Sequence, residues 1–135
     1  MCGLRLLKKT KIMADINASC VFNELPLWHQ EILSRLLDAS FIGKRELATQ
    51  ILASRFKIID ANQSLEILAT DSIRAPVIKT IPVEASAMDD NGLQIQVLLF
   101  TRHGLPYMLE VLRVDGGEIS RLPPSDSFSV TVLGT

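Results

Sequence analysis

The chain has only two histidines, His29 and His103, and few carboxylates placed where they could move a proton or hold a metal. His29 stands two residues before Glu31 in the run Trp28-His29-Gln30-Glu31. A histidine beside a carboxylate could act as a general base or half a metal site. Positions i and i+2 of a helix point apart, however, so this pair cannot chelate. His29 is read as a solvent-exposed side chain, and Trp28 beside it as a core anchor. His103 falls in Thr101-Arg102-His103-Gly104 and is read as a hairpin-turn residue. Asp89-Asp90-Asn91-Gly92 has the opening of a calcium loop, but the alternating ligands and distant bidentate Glu of such a loop are replaced by the apolar run 93–99. Asp115-Gly116-Gly117 is turn chemistry, because a phosphate loop would lead into a helix carrying Lys-Ser/Thr. No serine has a nucleophile-elbow context. Glu84 and Glu110 could in principle share acid–base work. A strand over 93–101 separates them, so ion pairing or plain solvation is expected. These patterns call for no metal and no cofactor.

The elements that must position these groups come from one domain's worth of chain, 135 residues. A hydrophobic content of 47% with 21% charged residues excludes a disordered or fibrous chain. Aromatics at 5% leave the core to Leu, Ile, Val and Ala. A net charge of −1 gives no electrostatic case for nucleic acid or an anionic membrane. No apolar run approaches the ~20 residues of a membrane span. Lys8, Lys9, Lys11 and Asp15 interrupt any signal-peptide core. A cytoplasmic protein is expected, with Cys2 and Cys20 as free thiols. Residues 1–20 lack a period and are read as a disordered tail, leaving 21–135 as a single α+β domain.

Leu25, Trp28, Ile32, Leu33, Leu36 and Leu37 recur at helical spacing after Pro26, with Asn23 as candidate cap. Ser40 to Gly43 breaks that helix. A second one fits Lys44 to Ser54, with Leu47, Ile51 and Leu52 on its buried stripe. From Phe56 the period changes to two. Residues 56–59 and 65–69 read as a hairpin about the turn 60–64. Strands follow at 77–88, 93–101, 107–114 and 127–133, the first of them marked by Pro82 as an edge or broken strand. The fold class is α+β: two N-terminal helices packed on one face of a mainly antiparallel β-meander of about five or six strands.

A three-residue loop Asp90-Asn91-Gly92 sets Ala87 opposite Ile95, Ala85 opposite Val97 and Val83 opposite Leu99. If Arg102 to Pro106 closes the next hairpin, Leu99 faces Tyr107, Val97 faces Leu109 and Ile95 faces Val111. All these lie on one apolar face, where the helices should pack. A one-residue slip would drive Glu84 and Ser86 into it. The opposite face is mixed and supplies the candidate interaction residues Glu84, Ser86, Gln96, Leu98, Phe100, Met108, Glu110 and Leu112. In this register Ser86, Gln96 and Glu110 share one row, and Leu98 lies between Glu84 and Met108 in the next. Scattered apolar groups on a partly exposed face and a contact patch for a partner both account for this pattern.

The run Ile32 to Leu37, Leu47 to Leu52, Phe56 to Leu68 with its Asp-Ala-Asn-Gln-Ser turn, Pro82 to Ala85, and Tyr107 to Val111 leading to Asp115-Gly116-Gly117 together carry a resemblance. The chain is similar to small bacterial proteins grouped as domains of unknown function, some of which look like immunity or accessory proteins for secreted toxins. The resemblance implies a compact bacterial α+β domain and brings no functional residues with it. The expected function is a non-enzymatic binding or accessory domain that takes a protein partner, with neither nucleic acid nor membrane involved. The alternatives are a small enzyme or ligand binder with its own pocket, and a structural homodimer.

Overall fold

The computed structural model describes residues 18–70 and 73–134. The first helix, α1 (Leu27–Asp38), starts behind Pro26, whose fixed φ suits a helix entry. Asn23 does not cap it, because Phe22–Glu24 form a separate 3-10 turn. Its buried stripe is His29, Ile32, Leu33 and Leu36, one face at helical spacing. The second helix, α2 (Lys44–Ala53), buries Leu47, Gln50 and Ile51. Leu52, expected on that stripe, is 64% exposed, since it sits about 100° past Ile51 around the helix. Gln50 takes the inner position instead.

The strands are β1 (Cys20–Val21), β2 (Arg55–Ile58), β3 (Leu65–Leu68), β4 (Val83–Met88), β5 (Gln94–Arg102), β6 (Leu105–Arg113) and β7 (Ser129–Val132). They form one seven-stranded sheet in the order β1-β2-β3-β6-β5-β4-β7, with every pair antiparallel. Among the described residues the two helices therefore follow a short strand rather than preceding the sheet, which is wider than the five or six strands expected. The meander holds for β4–β5–β6. The β2–β3 hairpin docks beside β6, and Ser64 fixes it there by accepting from the Val111 amide at 2.9 Å and donating to the Val111 carbonyl at 3.2 Å. The strand expected over 77–88 shortens to β4, because Pro82 supplies no ladder N–H.

Residues 18–20, the end of the stretch read as a tail, are built onto the sheet. Arg55 donates to the Ser19 hydroxyl and carbonyl at 2.7 and 2.8 Å, and Cys20 pairs with Phe56. Cys20 is buried and held in a disulfide, which replaces the free thiol expected there. The remainder of that stretch, 1–17, lies outside the described residues.

The β4–β5 pairing matches the sequence reading: Ala87 faces Ile95, Ala85 faces Val97 and Val83 faces Leu99. Asp89 Oδ1 braces the loop by accepting from the Asn91 and Leu93 amides, both at 2.9 Å. The β5–β6 pairing is two residues away from the expected one. Leu99 faces Leu109, Val97 faces Val111 and Ile95 faces Arg113. The cause is a two-residue turn at His103-Gly104, with φ of 55° and 77°, where a five-residue loop was expected. An irregularity between Phe100 and Thr101 absorbs one residue of β6. A shift of two leaves the side chains beyond the irregularity on their own faces, but Tyr107, expected opposite Leu99 on the apolar face, falls at the irregularity and meets Phe100 of the outer face instead. The helices therefore still pack on Val83, Ala85, Ile95, Val97, Leu99, Leu109 and Val111, all buried.

From β6 the chain crosses α1 to reach the far edge, where β7 pairs with β4. Trp28 Nε1 donates to the Pro123 carbonyl at 2.8 Å, Arg35 Nη2 to Phe128 O at 2.6 Å and Ser125 Oγ to Glu31 Oε1 at 2.7 Å. Trp28 also meets Phe128 edge to face.

His29 is 1% exposed, against the expectation of a surface side chain. It lies three residues before Ile32, on the buried stripe, and its Nε2 bonds the Gln63 carbonyl at 2.7 Å. Burial pushes its pKa below the ordinary 6.5, and the Gln63 bond partly opposes that. The unfolded chain therefore binds a proton at a pH where the native imidazole stays neutral. This contribution to stability is fully present above the unfolded value near 6.5 and is lost as pH falls through and below it. In urea titrations between pH 7.5 and 5, unfolding free energy should fall on acidification, and His29→Gln should flatten that slope. Equal slopes in the two proteins would show that His29 does not carry the linkage.

Candidate functional site

With both helices on one side, the other face of the sheet carries no layer among the described residues. All eight candidate residues sit on that face, and each is half-buried. The two-residue shift between β5 and β6 rearranges their rows. Glu84, Leu98 and Glu110 now form one row, continued by Thr131 of β7. Ser86, Gln96 and Leu112 form the next, continued by Ser129. Phe100 and Met108 make a third, which runs on through Glu66 to Lys57. The expected row of Ser86, Gln96 and Glu110 is thus replaced, and Glu110 stands where Met108 was expected, across Leu98 from Glu84.

Glu84 and Glu110 flank Leu98 at two strand spacings, about 10 Å of backbone. That is too far for two carboxylates to share a proton or a sugar ring at close range. Neither enters an ion pair among the described residues. Chemically the face offers Leu98, Phe100, Met108 and Leu112 gathered about Glu110, which lies between Met108 and Leu112 on β6, with Glu66 and Glu84 at the edges. Nothing on it is built as a nucleophile or a general base.

A second feature lies at the end of β5 and β6, which the sequence reading did not single out. The His103-Gly104 turn packs against the segment 73–80. The Ala75 amide donates to the Gly104 carbonyl at 2.9 Å, and Arg74 Nη1 to the His103 carbonyl at 3.2 Å. From α2, the buried Gln50 Nε2 donates to the Ile73 and Gly104 carbonyls. Thr101 closes the other side, its amide donating to the Thr80 carbonyl at 2.7 Å. Between the two walls is a cleft of about 420 Å³. The only sequence signal for it was a pair of basic residues on segments far apart in the chain, Lys79 and Arg102.

Among the described residues no group of three or more His, Cys, Asp or Glu could hold a metal ion, and no helix is long and apolar enough to cross a membrane. His29 is a core residue and His103 a turn residue. No family model, no curated protein and no solved structure matches the chain.

The turn beside the cleft yields a direct test. Gly104 and Gly92 both have positive φ, so alanine is strained at either position by roughly 1 kcal/mol. A Cβ on Gly104 would in addition lie 2.8 Å from the Ala75 carbonyl oxygen and 2.9 Å from its amide nitrogen, whereas one on Gly92 would meet nothing. In chemical denaturation Gly104→Ala should lose at least ~1 kcal/mol more than Gly92→Ala. Equal losses would mean that the 73–80 segment does not press on the turn.

Proposed function

We propose that this chain is a binding domain without catalytic activity, which receives a protein partner on the uncovered face of its sheet. One observation carries the reading: large apolar side chains occupy the middle of a sheet face that no helix covers among the described residues. A solvated antiparallel face would alternate to polar groups there. Leu98, Phe100, Met108 and Leu112 break that rule in adjacent rows. An apolar centre with a polar rim is the anatomy of a protein interface. The rim here is acidic through Glu66 and Glu84, and Glu110 adds a carboxylate inside the patch between Met108 and Leu112. The complementary partner surface is apolar at its centre and basic at its edge, which fixes orientation and speeds encounter. An accessory protein of the immunity kind, one of the roles that the resemblance implies, would work in this way. A disulfide such as that at Cys20 persists in an oxidising compartment, so cytoplasmic residence is not carried into this reading.

The test replaces Leu98 with Ser and Met108 with Lys together. Neither side chain belongs to the helix-packed core, so the double variant should stay folded, with a melting temperature within about 4 °C of the parent. Affinity capture from the source organism, followed by mass spectrometry, should recover a protein with the parent chain and lose it with the variant. Sedimentation velocity on the purified chain separates capture from self-association. A folded variant that captures the same proteins contradicts the proposed interface. An unfolded variant shows that this face is interior.

A further inference from the structure

We infer that the cleft between the 77–80 segment and the β5–β6 turn is a binding site for a small molecule bearing a phosphate group. The cleft is lined mainly by polar atoms, and the exposed donor-bearing residues Lys79, Thr80, Arg102 and His103 are among those that line it. Among the described residues no carboxylate lines it. Neither the Lys79 ammonium nor the Arg102 guanidinium enters an ion pair or hydrogen bond among the described residues, although the chain as a whole is slightly acidic. Unneutralised cations in a concave site focus positive potential there.

Arg102 is also held in place. Its guanidinium carbon lies 4.1 Å from the centre of the Tyr107 ring, and Tyr107 in turn packs against Phe100 at 5.9 Å. Stacking occupies the flat face of the guanidinium and leaves its N–H edge open for an oxyanion. With one face covered by Arg102, Tyr107 is a positioning residue for that fork. Thr101 does not compete as a donor, because its hydroxyl bonds the Lys79 and Thr80 carbonyls at 3.3 and 3.1 Å.

Both walls are pre-formed. Gln50, Arg74, Ala75 and Thr101 tie them together through backbone carbonyls, so a ligand meets a site already shaped. The volume of about 420 Å³ is in the range of small-molecule sites. The donors exceed what the two oxygens of a carboxylate can accept: a planar fork, an ammonium, a hydroxyl and an imidazole. A phosphate monoester presents three free oxygens on one head and uses them all. The site touches the sheet face only through the Tyr107–Phe100 contact, draws its donors from other residues, and stands whether or not that reading holds.

The probe is inorganic phosphate, titrated into the full chain labelled with nitrogen-15 and followed by amide shifts at constant ionic strength, with acetate as a parallel arm. Saturable shifts are expected at Thr80 and Thr101 to Gly104, with acetate binding at least about tenfold weaker (~1.4 kcal/mol). Arg102→Gln and Lys79→Gln should each weaken phosphate about tenfold or more while the rest of the spectrum stays native. Arg102→Lys should also weaken it, because it keeps the charge and loses the fork. Arg121→Gln, whose side chain pairs with Asp90 at the opposite end of β5, should change nothing. Shifts that do not saturate, that follow every basic residue alike, or that survive Arg102→Gln would overturn the assignment. Equal affinity for acetate would overturn the phosphate preference.

Discussion

The structure depends on one constraint, the strict alternation of side chains along β4, β5 and β6. Val83, Ala85 and Ala87 on β4, Ile95, Val97 and Leu99 on β5, and Leu109 and Val111 on β6 form a continuous apolar floor. Neither helix could hold its stripe of Ile32, Leu33, Leu36, Leu47 and Ile51 out of water without that floor. The small Ala85 and Ala87 leave room above it for a helix backbone. The same alternation decides the outer face, since each residue sent inward sends its neighbour out. The patch at Leu98, Phe100, Met108 and Leu112 is a direct consequence of where the core lies.

Much of this was legible before any coordinates. Gly92 after Asp90-Asn91 fixed the β4–β5 register residue for residue, because a left-handed glycine allows few loop lengths. The β5–β6 register was not legible, because His103 does not announce the positive φ that it adopts. The outer face nevertheless kept its members, since a two-residue shift conserves facing, and only its rows changed. His29 was misread although the signal was present: it is one helical turn before Ile32 on the buried stripe. Leu52 was misread for the converse reason, an apolar residue one position off its stripe. The edge strands β1 and β7 depend on long connections, and no local pattern encodes which edge a chain returns to.

The polar anchors explain why the cleft escaped the sequence altogether. Its walls come from 77–80 and 101–107, and a third element, α2, joins them through Gln50. Each contact ends on a backbone carbonyl, Gly104, His103, Thr80 or Ile73, so side-chain identity records little of it. Gly104 is the exception, since a Cβ there would strike the Ala75 backbone. Among the described residues the sheet thus has one apolar face sealed by helices, another that no helix covers, and a basic cleft at its rim.

The sidedness of β5 carries everything above, and two neighbouring residues measure it. Leu98 and Leu99 are adjacent in the chain and on opposite faces. Equilibrium urea unfolding of Leu98→Lys should remain cooperative and lose no more than about 1 kcal/mol. Leu99→Lys, which buries an unpaired ammonium in the helix-packed floor, should lose more than ~4 kcal/mol or fail to fold. Losses of similar size at the two positions would contradict a sheet with one sealed face and one open face.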